Sequence, residues 1–343
     1  MKINNNILLV SANQHPVPYP VYPIGLSYLL MYLKNKLPGL NIKIFDFNLG
    51  DMTEFEIILA EFNPSVVGVS FRNIDDTNSL LQNQFVTKYK YITDKIKTHS
   101  GSIIVIVGLG FSIFPKLIYE KILPHYGIYG DGEGSFHILL IALKNGTSTE
   151  KIDGLVFSKD NQIIINQRKN NLKNLGVYLE ENIVDYYWGK SGMVGIQTKR
   201  GCPYDCIYCT YPIIEKKNVR VLDPDKVVLA LSKIYHQKVI DYIFFTDSVF
   251  NINNNDNIEL VKKIIASGIK IKWGAYFSLN NLDTEILSIY KKSGLTHIEF
   301  GTESFSDIQL KNYHKKNFVD DVIKVSEIAG KRFKNREKMG FPG

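Results

Sequence analysis

The sequence predicts an α/β protein with two domains, and three observations lead to this prediction. Apolar runs of strand length alternate with amphipathic stretches from residue 7 to residue 143, and the alternation resumes at residue 194. Such alternation is typical of βα units on a parallel sheet. A chain of 343 residues with 45% hydrophobic content can also form two cores. We predict a doubly wound N-terminal domain followed by a partial βα barrel.

The N-terminal domain, residues 1–146, is predicted to contain five βα units. Its predicted strands are 7–11, 42–46, 66–70, 103–107 and 126–129. Its predicted helices are 25–36, 53–62, 79–99 and 133–143. The first helix has Leu26, Leu29, Leu30 and Leu33 at helical spacing. In such a domain a ligand is expected in the crevice at the carboxyl ends of the strands.

A connector, residues 147–192, is expected to precede the second domain, residues 193–343. The connector should hold a hairpin formed by 153–157 and 162–166. The second domain has four predicted strands, which are 194–198, 242–245, 270–277 and 297–300. The segment 330–339 is too charged for a buried parallel strand. We therefore expect an incomplete barrel, truncated at its C-terminal side, in which the fourth strand has an unpaired outer edge.

Composition excludes several classes of protein. No apolar run reaches about 18 residues, and the N-terminus does not resemble a signal peptide. The net charge is +7, but the lysines are scattered along the chain, which is typical of a solvated surface rather than of a nucleic-acid site. We expect a cytoplasmic protein that binds neither a membrane nor nucleic acid.

The chemistry is concentrated in one short loop. All three cysteines of the chain, Cys202, Cys206 and Cys209, lie there with the spacing C-x-x-x-C-x-x-C. Thiolates are the preferred ligands of iron–sulfur clusters, and three of them leave one iron of a four-iron cluster open. A structural zinc site would need a fourth ligand, and three cysteines cannot all pair in disulfides. The spacing therefore favours an open iron–sulfur cluster over zinc or disulfides.

The loop resembles the signature of the radical S-adenosylmethionine superfamily, C-x-x-x-C-x-aromatic-C, with Tyr208 at the aromatic position. The resemblance implies that the cysteines hold a [4Fe–4S] cluster whose open iron chelates S-adenosylmethionine. Reductive cleavage of this cofactor would give a 5′-deoxyadenosyl radical. The same resemblance implies a partial TIM-like barrel and a role for Tyr208 in seating adenine. Further contacts with S-adenosylmethionine are implied for Thr246, Asp247, Ser248, Glu303 and Ser304.

The N-terminal domain resembles the Rossmann-like cobalamin-binding domain attached to many members of this superfamily. The pattern D-x-H-x-x-G is met only at its last glycine, Gly25, and Tyr22 stands where the histidine would be. If cobalamin binds, its lower face should therefore lack a histidine ligand. The residues implied for cobalamin are Tyr22, Gly25, Ser70, Arg72, Gly108, Gly110, Gly130, Asp131, Gly132 and Glu133. The strand-end glycines could alternatively serve only the tight turns of any βα fold.

These resemblances imply a cobalamin-dependent radical enzyme, with methyl transfer to an unactivated carbon or to phosphorus as the expected reaction. A rearrangement or cyclisation on the same scaffold is the first alternative. An inactive truncated fragment that binds the cluster, and a radical enzyme without cobalamin, are the others. The expected partners are a small-molecule or peptide substrate and an electron donor such as flavodoxin or ferredoxin.

Overall fold

The computed structural model describes residues 3–76, 85–169, 176–238, 240–332 and 339–340. The chain divides into two compact units, Met1–Lys173 and Asn174–Gly343. The boundary lies beyond residue 146, where the sequence places the end of the first domain. Residues of the predicted connector therefore belong to both units.

A seven-stranded sheet forms the centre of the N-terminal unit. Its strands are β1 (Asn6–Ser11), β2 (Asn41–Asp46), β3 (Val66–Ser70), β4 (Ile103–Val107), β5 (Tyr126–Ile128), β6 (Leu155–Lys159) and β7 (Gln162–Ile165). The strand order is β2-β1-β3-β4-β5-β6-β7, and the pairs from β2 to β5 are parallel. The order reverses direction between β1 and β3, which is the switch point where ligands bind in such sheets.

Helices cover both faces of this sheet. They are α1 (Ile24–Lys36), α2 (Met52–Phe62), α3 (Val86–His99), α4 (Leu109–Ile113), α5 (Pro115–Ile122) and α6 (Gly132–Asn145). Helices α1 and α6 pack together, while α3 packs against α2 and α5. The two faces of the sheet pack against different helices. On one face Gly68 lies beneath Leu9 and Phe136 of α6. On the other face Leu8 belongs to the core formed with α2 and α3. The doubly wound architecture is confirmed.

The sheet extends one hairpin further than predicted. Strand β6 runs antiparallel to β5, with Ile128 opposite Leu155, and β7 pairs with β6. The apolar residues Leu155, Val156 and Phe157 are buried there, so burial of their side chains places the hairpin on the sheet. The helix predicted from residue 79 begins at Val86 in the structure, and residues 77–84 lie outside the described part of the chain.

The C-terminal unit contains a five-stranded parallel sheet and a small antiparallel pair. The strands are β8 (Val194–Ile196), β9 (Lys199–Arg200), β10 (Arg220–Val221), β11 (Tyr242–Phe245), β12 (Lys272–Phe277), β13 (Leu295–Phe300) and β14 (Met339–Gly340). The large sheet has the order β14-β13-β12-β11-β8, and β9 pairs with β10. Because all five strands are parallel, their carboxyl ends meet at one edge of the sheet, where the catalytic loops of βα barrels lie.

Helices follow these strands in the βα pattern. They are α7 (Glu181–Ser191), α8 (Tyr211–Ile214), α9 (Pro224–Lys238), α10 (Asn254–Ala266), α11 (Thr284–Lys292), α12 (Asp307–Asn312) and α13 (Val319–Arg332). Helix α10 packs against α9 and α11, and α11 packs against α13. Aromatic side chains fill the core, where Trp273, Phe250 and Tyr290 contact one another. None of the helices within the described ranges is long and apolar enough to cross a membrane.

The prediction that the fourth barrel strand has an unpaired outer edge was wrong. Strand β14 pairs with it in parallel, with Ile298 opposite Met339 and Glu299 opposite Gly340. The segment 330–339, which was predicted to be too charged for a buried strand, ends at Met339, and both residues of β14 are uncharged. A two-residue strand needs no long apolar run, which is why periodicity did not predict it.

Candidate functional site

The three cysteine thiols line one cavity of about 330 Å³ in the C-terminal unit. Cys202 is buried, with 6% of its surface exposed, whereas Cys206 and Cys209 are partly exposed. The remaining lining comes from the loop itself, from the ends of β11, β12 and β13, and from residues 314–317. Aromatic side chains contribute much of it, namely those of Tyr204, Tyr208, Tyr211, Tyr276, Phe277 and Phe300.

The start of the cysteine loop is held by residues that follow α8. Gly201 donates its N–H to Glu215 Oε2 at 2.8 Å, and Cys202 donates its N–H to the Lys216 carbonyl at 3.0 Å. Gly201 has a φ of 101°, and a β carbon there would lie 2.3 Å from the Asn218 carbonyl oxygen. Only glycine allows both this conformation and this close approach. The loop conformation therefore depends on Gly201.

The electrostatics of the three thiols favour a cationic ligand. Burial raises the pKa of Cys202 and of Cys209, and the neighbouring thiolates raise both further. Three thiolates in one cavity repel one another, so a positively charged iron–sulfur core would stabilise their deprotonated form. Among the residues that the structure describes, no three Cys, His, Asp or Glu side chains form a group that could hold a metal ion.

A second group of polar side chains faces the same cavity. Lys315 Nζ donates to the Gly301 carbonyl at 2.9 Å and to Glu303 Oε1 at 3.3 Å, and it lies 5.5 Å from the centre of the Tyr208 ring. Burial and a hydrogen bond to Glu303 raise the pKa of Tyr208 far above its ordinary range. Of the lining residues in the described part of the chain, Glu303 is the one carboxylate. Sequence reasoning missed Lys315, whose only signal is a cation twelve residues after Glu303.

The polar run after β11 does not face the cavity as a unit. Ser248 lines it, and its hydroxyl donates to the Gly201 carbonyl at 3.2 Å. Asp247 is completely buried in an ion pair with Lys199, and Thr246 Oγ1 is buried beside Gly195. Neither lines the cavity. Asp247, for which the sequence implied a contact with S-adenosylmethionine, is therefore already bound by a lysine of the chain.

Ser304 also lies outside the cavity lining. Its hydroxyl accepts the N–H of Ser306 at 3.1 Å, in the turn that precedes α12. Its neighbour Glu303 reaches the cavity because its backbone adopts a φ of 64°, which turns the chain at the end of β13. Adjacent residues of one motif therefore have different environments.

The residues implied for cobalamin lie at the carboxyl ends of the N-terminal strands, but several of them are used in packing. Tyr22 is buried, and its hydroxyl lies 2.5 Å from Ser27 Oγ. A β carbon on Gly108 would lie 2.6 Å from the Phe71 carbonyl, and one on Gly110 would lie 2.7 Å from the Arg72 carbonyl. These two glycines therefore allow the loops after β3 and β4 to touch.

The turn after β5 is covered by an arginine that no sequence motif indicated. A β carbon on Gly130 would lie 1.9 Å from Arg168 Nη1, and Arg168 Nη2 lies 3.4 Å from Asp131 Oδ2. Both side chains of this ion pair are buried, as is Glu133. The positions that would leave room for a β carbon are Gly25 and Gly132, while Ser70 ends β3 half-buried.

The unit that carries the cysteines matches a known protein family. Residues 196–343 match the family described as the radical SAM superfamily. The C-terminal unit is a radical SAM domain. The membership predicted from the cysteine loop is confirmed, and the match begins at the end of β8, directly before that loop.

Similar proteins extend the likeness to the whole chain. An uncharacterized methyltransferase of Pyrococcus horikoshii is 24% identical over 333 residues, which are 93% of this chain and 70% of the relative. The anaerobic magnesium-protoporphyrin IX monomethyl ester cyclase of Cereibacter sphaeroides is 33% identical over 124 residues, 35% of this chain and 20% of the cyclase.

A solved structure confirms the predicted fold. The radical S-adenosylmethionine methyltransferase TsrM from Kitasatospora setae, solved with cobalamin and a [4Fe-4S] cluster bound, superimposes with a TM-score of 0.87 at 21% identity. The superposition covers 97% of this chain and 65% of that one. At this identity the likeness is one of fold. The chain thus spans slightly less than two thirds of the methyltransferase that it resembles.

Proposed function

We propose that this protein is a cobalamin-dependent radical S-adenosylmethionine enzyme that transfers a methyl group to an unactivated carbon or to phosphorus. The observation that carries the proposal is the cavity of the C-terminal unit. Three free thiols line it at the carboxyl ends of parallel strands, within a radical SAM domain. The likeness of the whole fold to a methyltransferase supports methyl transfer as the reaction.

Three thiols for a cluster, with a hydroxyl, a lysine and a carboxylate for the polar groups of S-adenosylmethionine, support the binding of both in this cavity. When bound, the cluster would bind this cofactor at its open iron and supply the electron that cleaves the sulfonium. Cys202, Cys206 and Cys209 would be the cluster ligands. Ser248 and the Lys315–Glu303 pair would bind the polar groups of the cofactor by charge-assisted hydrogen bonds. Aromatic side chains such as Tyr276 and Phe277 would exclude water from the cavity.

The N-terminal unit fits cobalamin only in part. Gly25 and Gly132 leave room for a bulky ligand, whereas Gly108, Gly110 and Gly130 are engaged in packing between loops. Tyr22 cannot supply an imidazole, and its hydroxyl is bound to Ser27. Cobalamin would therefore bind at the carboxyl ends of the strands without a nitrogen ligand from position 22.

The proposed reaction also needs an electron donor, a substrate and a compartment. A cubane cluster needs a one-electron donor, and a flavodoxin or a ferredoxin is proposed for that role. The substrate would be a small molecule or a peptide. Thiols are kept reduced in the cytoplasm, and we propose this compartment for a protein with three free thiols.

A cyclisation or rearrangement on the same scaffold is the second candidate. It is supported by the 33% identity over 124 residues to an anaerobic cyclase. The reactions are distinguished by the fate of the methyl carbon. A methyltransferase would move this carbon from S-adenosylmethionine to an acceptor and leave S-adenosylhomocysteine, with bound cobalamin supplying the methyl-carrying chemistry, whereas in cyclisation the carbon would stay with methionine.

Anaerobic reconstitution with iron and sulfide tests the central claim. We expect about four irons per chain, and the loss of the cluster when any one of the three cysteines is changed to alanine. Ile213→Ala, an exposed position just beyond the loop, serves as the control and should keep the full iron content. Stoichiometric zinc without iron in anaerobically purified protein would refute the proposal.

The reaction type is tested with reconstituted protein, cobalamin, dithionite and S-adenosylmethionine labelled in its methyl group. Label recovered with the cobalamin fraction supports methyl transfer. Label recovered only in methionine supports the cyclisation alternative. Protein without cobalamin is the control, and it should give labelled methionine alone.

A further inference from the structure

The C-terminal unit contains an ion pair that the proposed chemistry does not use. Lys199 Nζ lies 3.0 Å from Asp247 Oδ2, and the two side chains are 1% and 0% exposed. The ammonium also donates to the Phe250 carbonyl at 2.8 Å and to Thr198 Oγ1 at 3.0 Å. It lies 4.5 Å from the centre of the Phe250 ring. The lysine is therefore bound on several sides within the core.

The carboxylate of Asp247 binds the chain segment that leads into the cysteine loop. Its Oδ1 accepts the N–H of Thr198 at 2.7 Å and that of Lys199 at 3.1 Å. Its Oδ2 accepts the Thr198 hydroxyl at 2.5 Å. Both oxygens are thus occupied by residues of the segment after β8. Three residues after Lys199 along the chain is Cys202.

The other end of this network leads to the cavity wall. Asp247 is followed by Ser248, which lines the cavity and donates to the Gly201 carbonyl. Lys199 holds the Phe250 carbonyl, which also accepts from Asn257 Nδ2 at 2.6 Å. The ion pair therefore joins the loop after β11 to the start of the cysteine loop.

We propose that Lys199 and Asp247 are positioning residues that keep Cys202 buried and aligned with Ser248. A buried ion pair is weak evidence for a stabilising role, because a well-packed apolar pair of similar volume often stabilises a core as well or better. What an apolar pair could not do is bind the two backbone N–H groups of the cysteine-loop segment. Within the proposed function, the ion pair thus accounts for the position of one cluster ligand.

The test measures thiol alkylation in cluster-free protein, and so it does not depend on the proposed function. Iodoacetamide is added anaerobically, and labelling of Cys202 and Cys206 is followed by mass spectrometry. In Lys199→Met, which leaves a buried carboxylate without its cation, we expect the Cys202 rate relative to Cys206 to rise at least about tenfold. Asp247→Asn should raise this ratio too.

The double variant Lys199→Met/Asp247→Asn tests the coupling between the two residues. It leaves no uncompensated charge, and the asparagine carbonyl oxygen can still accept a backbone N–H. We therefore expect its Cys202 to Cys206 ratio to lie closer to that of the wild type than the ratio of Lys199→Met. A rise equal to the product of the rises in the two single variants would refute the coupling.

Leu287→Ala separates positioning from a general loss of stability. Leu287 is fully buried in α11, and its side chain is not part of the hydrogen-bond network around the ion pair. This variant should lower the melting temperature without changing the Cys202 to Cys206 ratio. The proposal is refuted if Leu287→Ala raises the ratio as much as Lys199→Met, or if both single variants leave it unchanged.

Reconstitution then connects the result to the cluster. In the single variants we expect a lower yield of bound iron and an altered electron paramagnetic resonance spectrum of the reduced cluster. If the single variants show the raised alkylation ratio but the wild-type protein never binds iron, the positioning role is supported and the cluster is refuted. Failure of one proposal is thus distinguishable from failure of the other.

Discussion

Gly201 and Asn218 approach so closely that a β carbon on Gly201 would lie 2.3 Å from the Asn218 carbonyl oxygen. This contact fixes the first turn of the cysteine loop against the segment after α8. Gly201 also has a φ of 101°, a conformation that side chains rarely adopt. The cysteine loop is therefore built on a backbone arrangement that only glycine permits.

We expect Gly201→Ala to lower the free energy of unfolding of the C-terminal unit by at least about 2 kcal/mol, through strain and displacement of the neighbouring backbone. It should also lower the iron content after reconstitution. Gly268→Ala is the matched control, because Gly268 has a φ of 73° and a β carbon added there would meet nothing within 4 Å. Urea unfolding and iron analysis provide the measurements, and equal effects of the two substitutions would contradict the prediction.

The Glu303 carboxylate is expected to bind the cofactor. Removing its charge in Glu303→Gln should weaken the binding of S-adenosylmethionine to cluster-loaded protein by about 10- to 100-fold, the cost of losing a hydrogen bond to a charged group. Titration calorimetry measures the affinity. Ser304→Ala, the next residue but outside the cavity lining, should bind as the wild type does. An unchanged affinity in Glu303→Gln would exclude the cofactor role.

Cobalamin, if bound, should show no protein nitrogen on cobalt, because Tyr22 is a buried phenol bound to Ser27. Electron paramagnetic resonance of the Co(II) state should give the same spectrum for unlabelled and ¹⁵N-labelled protein. His15 lies in the same loop after β1, and His15→Ala is the control variant. A splitting that changes with ¹⁵N and disappears in His15→Ala would overturn the alignment through Gly25.

The buried phenol of Tyr89 should make stability depend on pH in the alkaline range. Burial raises the pKa of Tyr89 to about 12, against an ordinary value of 10.0. The folded state therefore holds the proton more tightly than the unfolded state. The contribution is fully present below pH 10 and is lost as the pH rises toward 12, by about 1.4 kcal/mol per pH unit.

Urea unfolding of the wild type and of Tyr89→Phe between pH 8 and pH 11 tests this. The Tyr89 hydroxyl accepts the Arg72 N–H at 3.2 Å, so the variant should be less stable by about 1 kcal/mol at pH 8. The difference between the two proteins should shrink above pH 10. A difference that is constant throughout would show that Tyr89 ionises as readily in the folded state as in the unfolded one.

The parallel βα series of both units and the identity of the cysteine loop follow from the sequence without a structure. Both are local signals. Apolar runs such as 103–107 have the length of a buried strand, and the spacing of Cys202, Cys206 and Cys209 is readable within eight residues. Each depends on neighbours along the chain, which a single sequence displays.

Which polar residues face the cavity depends instead on the tertiary fold. Asp247 and Ser248 are adjacent in the sequence, yet Asp247 is bound by Lys199 in the core while Ser248 lines the cavity. Lys315 meets Glu303 because α12 and the turns around it bring the chain back to the end of β13. Such pairings depend on distances across the fold, and a buried charge is bound by whichever opposite charge the packing brings within reach.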